Sequence, residues 1–310
     1  MLNKILCFVL LGIFVGLTPV GAQTTPADAP AKVKGRIIAA RVDGLVSAVS
    51  KADGQSRALH DGDQISDQTQ VVTSEGANVI LVFSNGASVN VAADSTLDID
   101  EFVQDPFASD LKVSDMKEEP GTSVTRLNIV KGELVGKVVH LNVDKGSEFT
   151  VNTPVGAAGI RGTTFRIVFR PDPRTGKAFF LVTTTEGTVV YRGITSGPVS
   201  IPAGKQVVAT FDYTAPSATS PGSTAQSTPV TITTTNVSFT EASQIQTASQ
   251  AIVTAVENTV IPSSGSGNAG AGGQQGGGNN NANTTTTTTN NAATTTNQQP
   301  INPTVVSPSG

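Results

Sequence analysis

Few residues in this sequence could do chemistry. The two histidines, His60 and His140, stand apart, and neither lies at metal-ligand spacing from the other. Asp61, Asp63, Asp94, Asp98 and Asp100 could offer oxygen ligands to Ca²⁺, but their spacing matches neither an EF-hand loop nor a repeat-type calcium motif. Asp98 and Asp100 alternate with Leu97 and Ile99, so a solvated acidic strand face is the better reading. The sole cysteine, Cys7, lies inside the apolar N-terminal run, which removes thiolate metal sites, cysteine nucleophiles and disulfides from the body of the chain. No G-x-S-x-G elbow, phosphate loop or dinucleotide fingerprint occurs, although a Ser/His/Asp site is not excluded by sequence. These observations argue for a protein that is not an enzyme and carries no cofactor.

One constellation keeps a functional reading. In Gly159-Ile-Arg-Gly162 an arginine stands between glycines that let backbones approach closely, and Thr163 and Phe165 follow. Arg161, Gly162, Thr163 and Phe165 could form a partner contact. The structural alternative, preferred from sequence, is an arginine tying two turns to a carboxylate.

The elements that must position these residues are short and β-prone. From residue 32 to residue 213 the chain alternates runs of Val, Ile, Thr and Phe with Gly-containing turns, and no helix-period stripe appears. Asn78–Phe83 and Ala87–Val91 flank Asn85-Gly86, a pair suited to a type I′ hairpin turn with positive φ at both residues. Ser95–Phe102 should be a strand with Leu97, Ile99 and Glu101 on one face. Thr163–Phe169 and Ala178–Thr183 should form a second hairpin, and Glu186-Gly187 should turn the chain into Thr188–Tyr191. Val199–Ile201 and Gln206–Thr210 flank a turn at Pro202-Ala-Gly204. Asp105–Gly121 is polar and reads as an exposed insertion. The expected fold is all-β, an antiparallel two-layer or rolled domain, with an amphipathic helix and a disordered C-terminal tail appended.

The flanks read differently. Residues 1–22 have the form of a cleavable signal peptide: Lys4, an apolar run, then Val20-Gly21-Ala22 as the cleavage site. Residues 23–31 read as a loose leader. A periplasmic or secreted location follows, with no membrane span, since the run falls short of the ~20 apolar residues a spanning helix needs. Residues 214–235 are a Ser/Thr/Pro linker. Residues 236–262 hold the candidate helix, with Ser238 and Glu241 placed for a capping box and Ile245, Ala248, Ile252, Ala255 and Val256 at helical spacing. Residues 263–310 are Gly, Asn, Gln and Thr and should be disordered. No charged residue follows Glu257, and the formal net charge is −4 without a basic tract, which argues against nucleic acid as a partner.

Within the body, several blocks occur in a characteristic order: Gly35, Gly44 and Leu59-His-Asp-Gly-Asp63; Val71-Val-Thr-Ser-Glu-Gly76 leading to Leu81-Val-Phe83 and Asn85-Gly86; Val130-Lys-Gly-Glu-Leu134; Phe149-Thr-Val-Asn-Thr-Pro-Val-Gly156 with Ile160-Arg-Gly-Thr-Thr-Phe165; and Gly187-Thr-Val-Val190 with Ile201-Pro-Ala-Gly-Lys-Gln206. From residue 34 to residue 209 the chain resembles the FecR-type domain. The resemblance implies an extracytoplasmic β domain that works with other proteins. Name-giving members are regulators that join a sigma-factor-binding cytoplasmic segment, a membrane span and a periplasmic sensor. Here a signal peptide is expected in place of the first two. The reading is therefore a non-enzymatic binding or scaffolding domain acting on another envelope or extracellular protein. The alternative is an envelope signalling component, related to sigma-factor and iron-uptake regulation, that works through a separate membrane-spanning partner. Oligomeric state is not legible in the sequence.

Overall fold

The computed structural model describes residues 31–194, 197–215, 226–227 and 233–264. The expected signal peptide, almost all of the leader, most of the linker and nearly all of the tail lie outside the described residues.

The described chain is mostly strand. Twelve strands of four or more residues are described: β1 (Ile37–Asp43), β2 (Val46–Ser50), β3 (Thr69–Thr73), β4 (Asn78–Phe83), β5 (Ser88–Val91), β6 (Thr96–Gln104), β7 (Ser123–Lys137), β8 (Glu148–Thr153), β9 (Gly156–Asp172), β10 (Lys177–Gly193), β11 (Pro198–Pro202) and β12 (Lys205–Thr214). One α-helix follows, α1 (Phe239–Glu257). The pairings are antiparallel except between β7 and β8, and together they close the sheet into a barrel.

The register resolves this barrel into two layers. One runs β2-β3-β6, then the first half of β7, then β8, the first half of β9, the second half of β10 and β11. The other runs β1-β4-β5, then the second half of β7, the second half of β9, the first half of β10 and β12. The expected rolled, two-layer, antiparallel-dominated architecture is what the chain adopts. Its long strands β7, β9 and β10 belong to both layers, so each must bend at the crossing.

The bends sit at glycines. β9 pairs with β8 up to Gly159 and with β7 from Thr164 onward, and between them its register to β10 slips at Arg161/Thr164. β10 pairs with β11 from Thr188 and with β12 up to Thr184. Gly162 (φ +59°) lies in this bulge of β9 and Gly187 (φ +73°) faces it from β10, where a second slip, at Thr164/Phe165, leaves Thr185 as the extra residue. A bulge of this kind turns a strand without ending it. Glu186-Gly187 is therefore not the turn expected from sequence: β10 runs unbroken through it. The Ala203-Gly204 corner between β11 and β12 follows the same bend, its amides donating to the carbonyls of Gly187 (3.0 Å) and Thr184 (2.8 Å).

Other local expectations also change. Only Gly86 of the Asn85-Gly86 pair has positive φ, so the β4–β5 loop is not a type I′ turn. Asn85 is buried instead, its amide donating to the hydroxyls of Ser123 (3.1 Å) and Thr125 (3.2 Å) and its carbonyl accepting from the Ala87 amide (3.1 Å). In β6 a bulge between the Ile99 and Glu101 pairings shifts the phase, so Phe102, fully buried, faces the core where Glu101 was expected.

The core between the layers collects the inward side chains of every long strand. Phe83 packs edge-on against Phe102 (5.2 Å between centroids) and Phe149 (6.5 Å). Phe180 lies over Tyr191 (5.0 Å), whose hydroxyl donates to the Val155 carbonyl (2.8 Å). Burial pushes the Tyr191 phenol up from its ordinary value. Rings of this size each bury enough area to dominate a core of this kind.

A second apolar layer lies outside the barrel. Ile80 and Val82 of β4, Val135 of β7 and Val113 are buried beneath Ile245, Ile252 and Val256 of α1. The Ser238 hydroxyl caps the helix by accepting from the Glu241 amide (3.1 Å). The reciprocal half of the capping box is absent: the Glu241 carboxylate turns to Arg166 (2.6 Å) and Thr183 (3.2 Å).

Asp105–Gly121 is no simple exposed insertion. It contributes the short strand Leu111–Lys112, which pairs with Val260–Ile261 beyond α1, and the buried residues Val113 and Glu119. Its neck is closed by Asp105, which accepts from the Thr122 amide (2.7 Å) and hydroxyl (2.9 Å) and pairs with Lys32 (3.3 Å). Burial opposes ionisation of Asp105, but the Thr122 and Lys32 contacts outweigh it and hold the carboxyl below the usual carboxylate range. A depressed folded value contributes stability above the unfolded pKa of ~3.9, lost as pH falls through the folded value. Asp105→Asn should therefore cost about 1 kcal/mol at pH 7, with the gap to the parent narrowing as pH falls below ~3.9. Urea unfolding across that range checks this, and a gap that stays constant with pH would contradict it.

Candidate functional site

The Ile160–Phe165 stretch crosses the β9 bend, and the bend separates its residues. Phe165 is fully buried, and a Cβ on Gly136 would lie 2.4 Å from its ring. Thr163 is 2% exposed, and its hydroxyl has no hydrogen-bond partner among the described residues. Gly162 forms the bulge, backed by His140. These three are architectural in placement. Arg161 alone points outward: it is exposed, and its side chain forms no ion pair or hydrogen bond among the described residues. The arginine-to-carboxylate tie favoured from sequence is not formed, because strand alternation aims Ile160 inward and Arg161 out.

Arg161 lies on an open groove of about 380 Å³ across β8, β9 and β10. Strand register makes it. Gly159 faces Thr150 on one side and Val190 on the other, and Ala157 faces Arg192. Ala157 and Gly159 form a floor of small residues, with Arg161 towards one end and Arg192 towards the other. Arg192 is exposed and likewise has no carboxylate partner among the described residues. Glu148, the acid on the rim, is already paired with Arg126 (3.0 Å). The groove is therefore a net cationic concavity, and Arg192 is the functional candidate that the sequence reading missed. The available signal was the alternation Thr188-Val-Val-Tyr-Arg192, which places Arg192 on the same side as Val190.

The other chemical candidates are dispersed. Asp61 accepts from the Val42 amide (2.6 Å), and Asp63 from Arg57 (2.8 Å) and the His60 amide (3.1 Å). Asp94 occupies a turn at φ +55°. Asp98 is only 7% exposed, not part of a solvated face: Lys51 (3.3 Å), Gln70 (2.8 Å) and Asn128 (3.3 Å) converge on it from neighbouring elements. The hydrogen bond from Lys51 to Asp100 (2.7 Å), with Asp98 behind it, holds the Lys51 ammonium above its ordinary value against partial burial. His140 serves through its backbone, exchanging hydrogen bonds with Lys117 (3.1 Å) and Glu119 (3.0 Å). Among the described residues no group of three or more His, Cys, Asp or Glu could hold a metal ion. No helix among them is long and apolar enough to cross a membrane.

The protein-family model described as "FecR protein" matches residues 69–190, from the start of β3 to the second half of β10. The resemblance read from the motifs is thus shown over that stretch, which includes Arg161 but ends two residues before Arg192. No curated protein matches the chain. Similar solved structures include two titled as a "putative anti-sigma factor from Parabacteroides distasonis ATCC 8503", at 1.65 and 2.50 Å resolution. They are 14% and 13% identical, with TM-scores of 0.37 and 0.36, and the match covers 56% of this chain and 62% of each of theirs. The chain thus spans less than two thirds of their length.

Proposed function

We propose, from the premise that residues 69–190 form a FecR domain, that this protein is an exported, non-enzymatic binding or scaffolding module acting on another envelope or extracellular protein. The observation that carries the reading is the open groove on β8–β10. Arg161 and Arg192 project into it without carboxylate partners among the described residues. An exposed concavity with unspent charge is a feature of recognition surfaces. The FecR match supports a signalling or regulatory role, which also favours a second reading. In it the chain is an envelope signalling component that acts through a separate membrane-spanning partner.

Affinity capture with the purified full-length protein, against envelope proteins of the producing cell, tests the first reading. The expected result is one saturable partner in the extracytoplasmic fraction, with the captured chain itself beginning at Gln23. Recovery of the chain only in the cytoplasm with Met1 retained, or no saturable partner, would sink it. Capture of a membrane-spanning protein would select the signalling form.

A further inference from the structure

The outer faces of the two layers differ. That of β4, β5 and the second half of β7 is covered by the chain's own helix α1. The outer face of β8, the first half of β9 and the second half of β10 carries the groove with Arg161 and Arg192. We propose that this groove binds an acidic, extended segment of the partner protein, with two of its carboxylates received by Arg161 and Arg192. The inference rests on the binding-module reading above and specifies the chemistry of its partner.

Charge and spacing carry it. Arg192 sits opposite Ala157, four residues along β9 from Arg161. At ~3.3 Å per residue and ~4.8 Å between strands, their Cα atoms lie about 14 Å apart. In an extended segment, side chains four residues apart share a face and span about 13 Å. The small floor at Ala157 and Gly159 lets a main chain lie close to the sheet. Guanidinium groups suit carboxylates because each can donate two parallel hydrogen bonds. Residues 258–310 contain no Asp or Glu, so they do not supply a pair of side-chain carboxylates four residues apart. The outer edge of β11 begins and ends with proline, at Pro198 and Pro202, which hinders simple strand addition there. Recognition on the sheet face through side chains is the route left open.

The test uses the full-length protein and a labelled Ser/Thr peptide with Glu at two positions four residues apart, followed by fluorescence anisotropy. Its Glu→Gln twin is the control. Saturable binding by the Glu peptide is expected, weakened roughly fivefold or more by Arg161→Gln and by Arg192→Gln singly, the loss of one charge-assisted contact. Arg174→Gln, on the exposed β9–β10 hairpin, should leave binding unchanged. Binding should also weaken as salt rises. Equal affinity for the Gln peptide would overturn the proposal, as would an Arg174→Gln loss as large as the other two. So would concentration-dependent self-association abolished by Arg161→Gln, which would make a second copy the occupant. If affinity capture finds a partner whose binding survives both Arg161→Gln and Arg192→Gln, the groove inference fails while the binding-module reading stands.

Discussion

Gly187→Ala should destabilise the protein by about 3 kcal/mol, and Gly162→Ala by only about 1 kcal/mol, although both replace a positive-φ glycine at the same sheet corner. The difference comes from what a β-carbon meets. At Gly187 it would sit 2.5 Å from the Gly162 carbonyl oxygen and 2.7 Å from Thr163 Cγ2. Neither can move without disturbing the facing bulge of β9. At Gly162 the nearest atom is His140 Cα at 3.4 Å, an ordinary contact, so only the left-handed backbone is penalised. Urea unfolding of the two variants beside the parent measures both. Equal costs would mean that conformation alone sets the requirement. A neutral Gly187→Ala would show that the strands need not approach so closely at the bend.

Arg166→Ala should cost about 3 kcal/mol, more than Glu241→Gln, which should cost about 1 kcal/mol. Arg166 rises from β9 between two carboxylates, bonded to Glu133 of β7 (2.8 and 2.9 Å) and to Glu241 of α1 (2.6 Å). The three side chains are only 14–16% exposed. Burial opposes the guanidinium charge, but the bonds to Glu133 and Glu241 outweigh it and raise the arginine above its ordinary value. Removing the arginine leaves both acids close together. Glu133 keeps Arg170 (3.1 Å), and Glu241 keeps only the Thr183 hydroxyl among these contacts. Glu241→Gln leaves Arg166 with its bidentate partner. Denaturant unfolding gives the two costs, and amide exchange along residues 239–257 reports whether the first turn of α1 opens in Arg166→Ala. A cost below 1 kcal/mol with unchanged exchange would contradict the clamp.

Much of the fold was legible because strand alternation and glycine spacing are local signals. Asn78–Phe83 is a strand at the expected bounds, and Ser238, Ile245, Ile252 and Val256 serve the helix as their spacing implied. The same run, Asn78-Val-Ile-Leu-Val-Phe83, also held an unread signal. It does not alternate, because both of its faces are covered, one by the barrel core and the other by α1. The bends were missed for a physical reason. A glycine in a β-prone stretch marks equally a turn or a bulge, and only pairing across the sheet distinguishes them. The same holds for Ile160-Arg-Gly-Thr-Thr-Phe165. Its residues read as one motif, yet the bulge gives the interior to Phe165 and the solvent to Arg161. Arg192 was invisible because its significance lies in sharing a groove with a residue from another strand. Asp98 was misread because its partners, Lys51, Gln70 and Asn128, come from three separate parts of the chain.

The seat of α1 sets an order of assembly. Ile80 and Val82 are paired with their strand neighbours by closures of short and middle range, but their outer cover arrives with residues 239–257. Synthesis, and the proposed export, both deliver the chain N-terminus first, and domains tend to fold as they are completed. The barrel strands up to Thr214 can therefore pair while a strip of Ile80, Val82 and Val135 still faces water. Until the last quarter of the chain arrives, that strip is an adhesive patch on an otherwise finished barrel, open to chaperones or to another nascent copy. The helix thus acts as a late seal, and the interval before it closes is the stretch of the protein's life in which aggregation has its opening.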